Sequence, residues 1–179
     1  MRDRKLLNSE LGRISADEYL SSEESGLIVV LDNVRSAHNV GSAFRTADAF
    51  KADSMYLCGI CATPPSAELH KTALGAEMSV PWVHCDNTSD AVRTLREKGY
   101  VIVCVEQTEK SVSLGKFEPS PSARYAFIFG NEVEGVQQEV VDSSDMSLEI
   151  PQWGTKHSLN VSVSVGVVLW HVKSRMMLL

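Results

Sequence analysis

No apolar stretch in this chain of 179 residues approaches the roughly 20 residues that a membrane span needs. The amino terminus is charged and lacks the apolar core of a secretory signal, so a cytoplasmic protein with no membrane partner is expected. Positive charge is scarce: 17 Lys and Arg stand against 23 Asp and Glu, a net charge of −6. That balance argues mildly against nucleic acid, whose binding is usually driven by basic surface. The cluster of Arg2, Arg4, Lys5 and Arg13 keeps a local basic patch open. A second C-x-x-C is missing as well. Cys58 and Cys61 stand with only Cys85 and Cys104, at a spacing that matches no standard zinc motif. Cys58 ends an apolar run, where a free thiol packs as a small hydrophobe. No metal is expected, and structural disulfides are not expected in a cytoplasmic protein. There is no internal repeat, no low-complexity tract and no clear linker.

What is present is an ordinary globular composition, with 44% hydrophobic and 22% charged residues, in a length that suits one good core. Continuous apolar runs recur with helical stretches between them. Strands are expected at Leu27–Leu31, Ser54–Ile60, Tyr100–Val105, Tyr125–Phe129 and Met146–Ile150, with a short extended piece at Val80–His84. Helices are expected over Ala37–Phe50, from Pro64 or Pro65 to about Ala73, from the Asn87–Asp90 cap to Lys98, over Val136–Val141, and from Ser158 to Met176. Lys110–Ala123 reads mainly as loop. Strands apolar on both faces, alternating with helices, imply an α/β fold with a mostly parallel sheet flanked by helices. Residues 1–25 read as an N-terminal extension, helical by the spacing of Leu6, Leu7, Leu11 and Ile14, ahead of a domain spanning 26–179.

Three segments, each following such a run, mix glycine or serine with polar groups: Asn39-Val-Gly-Ser-Ala-Phe-Arg45, Phe129-Gly-Asn-Glu-Val-Glu-Gly135 and Ser158-Leu-Asn-Val-Ser162. In open α/β sheets sites form beyond the carboxyl ends of strands, so three such ends can share one pocket. On a helix starting near Asn39, Arg45 lies roughly 240° around from it; a turn over Asn39–Ser42 lets both reach one cleft. Gly41 and Ser42 leave room for a substrate backbone. The bland alternative is an N-cap asparagine followed by a surface arginine. In the second segment Glu132 is suited to hold a ribose or another substrate group, and the alternative is a turn with Asn131 in the left-handed region. The pattern matches neither the dinucleotide fingerprint nor a phosphate-binding loop. In the third, Ser158 is the expected N-cap and Asn160 lies in the first turn of a helix whose small and apolar faces suit deep burial or a partner subunit. His38 is a candidate for touching substrate; His70, His84 and His171 read as structural or exposed.

Together the three segments resemble the SpoU/TrmH family of RNA ribose 2′-O-methyltransferases, within the SPOUT class. The resemblance covers about residues 26–175, with the three motifs in order. It implies a sheet whose C-terminal segment is tucked into a trefoil knot, a homodimer, and S-adenosylmethionine as cofactor. It places that cofactor against Gly130, Ile150, Ser158 and Leu159, with Thr108 as a further contact. It assigns Asn39, Arg45, Glu132 and Asn160 to the methyl-transfer site. The implied substrate is a ribose 2′-hydroxyl of tRNA or rRNA. Arg45 is the family's expected activating residue. A guanidinium stays protonated in proteins, so a role on a phosphate or on developing alkoxide charge suits it better than that of a simple base. Two alternatives remain: a non-catalytic RNA-binding or assembly protein that retains the fold, and a methyltransferase acting on a base or a small molecule.

Overall fold

The computed structural model describes residues 3–177; Arg2 of the basic cluster lies outside them. The elements run α1 (Ala16–Ser21), β1 (Leu27–Asp32), α2 (Ala37–Ala49), β2 (Ser54–Cys58), α3 (Ala67–Ala73), α4 (Ala76–Ser79), β3 (Trp82–Cys85), α5 (Thr88–Glu97), β4 (Tyr100–Val105), β5 (Val112–Ser113), β6 (Arg124–Phe129), α6 (Gln138–Ser143), β7 (Met146–Glu149) and α7 (Val161–Met177). The strands form one seven-stranded sheet in the order β3-β2-β1-β6-β4-β7-β5. Each pairing is parallel.

The apolar runs are continuous because both faces of the sheet are covered. Along β1, Leu27, Val29 and Leu31 enter one core with Val40 and Phe44 of α2 and Val165, Val168 and Leu169 of α7. Ile28 and Val30 enter the other, with Val92 and Leu95 of α5 and Val140 of α6. The alternation follows the two-residue period of a strand. Full burial of such a side chain contributes about 1.5–3 kcal/mol. Strand β1 carries no polar side chain until Asp32 at its carboxyl end, and β6 is apolar from Ala126 to Phe129 after opening on Arg124 and Tyr125.

Several local expectations change in the structure. Neither Pro64 nor Pro65 opens α3; the Ser66 hydroxyl accepts from the Leu69 N–H and caps it. Strand β2 stops at Cys58 because the chain turns at Gly59, where φ is 61°. The polar stretch after β4 contributes a sixth parallel pairing, β5 on β7. Leu6, Leu7, Leu11 and Ile14 are exposed and lie outside any α-helix; among the described residues the one α-helix before β1 is the six-residue α1. It starts at a capping box between Ser15 and Glu18. Tyr19 docks it, donating to the Ala52 carbonyl at 2.6 Å.

Candidate active site

The site assembles at the carboxyl edge of the sheet. Helix α2 is capped three residues before Asn39: Ser36 is the N-cap, its hydroxyl taking the Asn39 N–H at 3.2 Å. The Asn39 side chain is thereby free. Its amide donates to Glu132 Oε1 at 2.6 Å. Asn160 in turn donates its amide to Asn39 Oδ1 at 3.1 Å.

The direction of this chain of bonds is set at its far end. Asn160, not Ser158, caps the last helix. Its Oδ1 accepts from the Ser162 N–H at 2.9 Å and the Ser162 hydroxyl at 2.7 Å, and its carbonyl accepts from the Ser164 N–H at 3.0 Å. With Oδ1 committed to the helix, the Asn160 amide can only donate outward. Asn39 receives it on oxygen and so turns its own amide to Glu132. The second oxygen of Glu132 has no hydrogen-bond partner among the described residues. Residues 93 and 121 positions from Asn39 thus meet at one point.

Beside this chain lies a cavity of about 500 Å³, lined by Gln107, Gly130, Glu132, Ile150, Ser158, Leu159 and Asn160 among others. Its size is ordinary for a small-molecule site. Among the described residues four carboxylates line it, those of Glu106, Glu132, Glu134 and Glu149, and no lysine or arginine does. Such a lining suits a cation.

The loop after β6 is held in shape by Asn131. Its side-chain oxygen accepts the Val133 and Glu134 N–H groups at 2.9 Å, and its backbone pairs with Gly135 in both directions. Asn131 is not in the left-handed region; Gly135 is, at φ 71°. A Cβ on Gly130 would collide with the Gly135 and Val136 backbone, and one on Gly135 would meet the Glu106 carboxylate. Glu106 also accepts the Val136 N–H at 3.1 Å and the Gln107 N–H at 2.8 Å. Glu106 and Gln107 were not expected at the site. An acidic residue directly beyond the buried strand β4 was the available signal, by the same strand-end rule.

The structure brings Asn39, Glu132 and Asn160 together and lines the cavity with Gly130, Ile150, Ser158 and Leu159. Two expected residues stand apart. Thr108 is outside the lining, its carbonyl taking the Ser111 N–H and hydroxyl. Arg45 is exposed, and no hydrogen bond or ion pair holds it among the described residues. Because α2 is continuous from Ala37, Asn39 and Arg45 diverge around the helix. Gly41 does not serve a substrate: a Cβ there would strike the Leu69 carbonyl and the Thr72 hydroxyl, so it permits close packing of α2 on α3. His38 likewise faces α3, 3.5 Å from Glu68. Cys58 and Cys104 pack as small hydrophobes in the core, and Cys61 is buried as well. Among the described residues no group of three His, Cys, Asp or Glu side chains is placed to hold a metal ion.

Residues 26–170 match the SpoU rRNA Methylase family. The chain belongs to that family. It is 32% identical over 168 residues to a 23S rRNA (guanosine-2′-O-)-methyltransferase, RlmB, of Vibrio cholerae serotype O1, covering 93% of this chain and 67% of that protein. Among solved structures it is similar to the TrmH/SpoU tRNA modifying enzyme of Aquifex aeolicus, with TM-score 0.79 and 26% identity over 90% of this chain and 81% of the other. It is also similar to an AdoMet-bound rRNA methyltransferase from Sinorhizobium meliloti, with TM-score 0.77 and 30% identity over 93% and 62% of the two chains. The chain spans 55–67% of the length of several curated rRNA methyltransferases that it matches.

Proposed function

We propose that this chain is an RNA (ribose-2′-O-)-methyltransferase that uses S-adenosylmethionine and acts on rRNA or tRNA. The observation that carries the reading is the directed chain Asn160–Asn39–Glu132 at a cavity walled by the second and third motifs. The cofactor fits the residues present. Backbone at Gly130, Ile150, Ser158 and Leu159 offers donors and acceptors, and the carboxylate lining tolerates a sulfonium. When bound, S-adenosylmethionine supplies a methyl group activated by that positive sulfur, with no call on a metal.

The residues then have separate tasks. Asn39 and Asn160 hold Glu132 in one orientation, leaving its free oxygen to accept from a ribose hydroxyl and fix its angle. Alignment of oxygen and methyl carbon supplies much of the acceleration. Arg45 binds the RNA phosphate beside the target ribose and offsets charge on the oxygen as its proton leaves. The position of Arg45 outside its own cavity fits a homodimer, in which the site draws on the neighbouring copy. Val163, Val167 and Trp170 leave an exposed apolar stripe on α7, a surface suited to that contact. The fold reading extends to a C-terminal segment threaded as a trefoil knot, with residues 26–179 as the methyltransferase domain, 1–25 as an appended segment, and a cytoplasmic location.

Incubation with radiolabelled cofactor and unmodified rRNA or tRNA should place label on a ribose 2′-oxygen. Label on a base, or cofactor binding with no transfer to either RNA, overturns the assignment.

A further inference from the structure

The loop from β7 to α7 carries a side chain that the site described so far does not use. Trp153 is 93% exposed, the most exposed of the large hydrophobic residues among those described. Leaving an indole in water forfeits the burial that such a ring ordinarily gains, so its placement calls for a partner. The loop is anchored on either side of it. Ile150 follows directly on β7, and Gln107 donates to the His157 carbonyl at 2.9 Å. Gln152, next to the tryptophan, and His157 both line the cavity. Trp153 therefore belongs to the loop that lends Gln152 and His157 to the cavity bordered by the Asn160–Asn39–Glu132 chain, and is not itself among the lining residues. Lys156, three residues on, is exposed and makes no ion pair or hydrogen bond among the described residues.

Charge narrows the choice of partner. Affinity for RNA usually comes from cations on phosphates, yet this chain carries −6 and, among the described residues, its cavity is lined by carboxylates and by no lysine or arginine. A protein so composed needs an attraction to RNA that does not depend on net charge. Base stacking on an aromatic ring is such an attraction, and it suits unpaired nucleotides in loops.

We propose that Trp153 is a stacking platform for an unpaired nucleobase of the RNA substrate, next to the nucleotide whose ribose enters the cavity, with Lys156 on the adjoining phosphate; this rests on the RNA methyl-transfer reading above. Trp153 is thus a substrate-positioning residue.

The test compares the unsubstituted chain, Trp153→Ala and Trp153→Phe for binding to deproteinised rRNA and total tRNA by filter retention, and for binding of S-adenosylmethionine by calorimetry. Stacking predicts that Trp153→Ala weakens RNA binding about tenfold or more, while Trp153→Phe stays within about threefold because a ring is kept. Cofactor affinity should be equal in all three. Indole emission quenched by RNA in the unsubstituted chain should be largely lost in Trp153→Phe, since Trp82 and Trp170 remain in both. Unchanged RNA affinity in Trp153→Ala overturns the platform while the methyl-transfer reading stands. Parallel loss of cofactor and RNA affinity assigns Trp153 to the cofactor pocket and overturns the platform too. An unsubstituted chain that binds cofactor but neither RNA overturns the methyl-transfer reading and the platform together.

Discussion

Two junctions at the carboxyl edge of the sheet use the same chemical groups to opposite ends. At the close of β1, Asp32 is fully buried. Its carboxylate accepts from the Thr88 hydroxyl at 2.6 Å, the Asn33 amide at 2.9 Å and the Gln137 N–H at 2.8 Å. Just beyond it the Cys61 sulfur accepts from the Val34 N–H at 3.2 Å and donates to the Leu31 carbonyl at 3.4 Å. Every polar group there is spent on joining β1 to α5, α6 and the loop after β2. Past the close of β6, Glu132 is exposed and has one side-chain partner among the described residues, Asn39. The first junction is a clasp and the second is where we propose the site. What separates them is saturation: a carboxylate surrounded by donors has nothing left for a ligand, and one held by a single amide does.

The largest expected effect breaks the comparison on the site side. Arg45→Ala should lower methyl transfer by at least about 100-fold, the scale of losing one charge-stabilising donor, with cofactor affinity and melting temperature unchanged. Arg45→Lys should also fail badly, since an ammonium cannot reproduce the planar fork on a phosphate. Near-normal turnover of Arg45→Ala on the methylated RNA would return the residue to ordinary surface.

Next in size is the clasp. Asp32→Ala strands the buried Thr88 hydroxyl and the Gln137 N–H, at a cost of about 2–4 kcal/mol. For a domain of this length that lowers the melting temperature by roughly 5–15 °C. Calorimetry reads the shift, and the folded fraction should bind cofactor normally. A melting temperature within a degree of the parent would show that the saturated carboxylate is no clasp.

The smallest effect is the pH response of the same junction. Burial pushes the Cys61 thiol up to about 11, against the pull of the Val34 and Cys58 backbone N–H groups. A folded-state value raised above the ordinary 9.0 means that the neutral thiol is favoured on folding. Its contribution is fully present below pH 9 and is lost as pH rises through 11. Denaturant midpoints of the parent should therefore fall between pH 9 and pH 11 more steeply than those of Cys61→Ser. Equal slopes would remove the thiol from the clasp.

How far the sequence was legible differs between the fold and the site. The strand runs were readable because a strand buried on both faces must be apolar at each position. The helix caps were not all readable. Ser158 and Asn160 are both good caps by type, and the choice fell to Asn160 because its amide gains a second bond to Asn39 there. Gly41 looked like room for a ligand, and only the approach of α3 shows what fills that room. Trp153 gave no periodic signal at all; its meaning lies in a loop position beside a cavity.

By itself the sequence determined a parallel α/β sheet and the three strand ends that carry polar residues, since local periodicity and turn chemistry act over a few residues. Tertiary structure decided which of those ends meet. Crossover connections place β6 between β1 and β4, so that Asn39, Glu132 and Asn160 converge across gaps of 93 and 121 residues. Arg45, six residues from Asn39, turns away because a continuous helix rotates by about 100° at every residue.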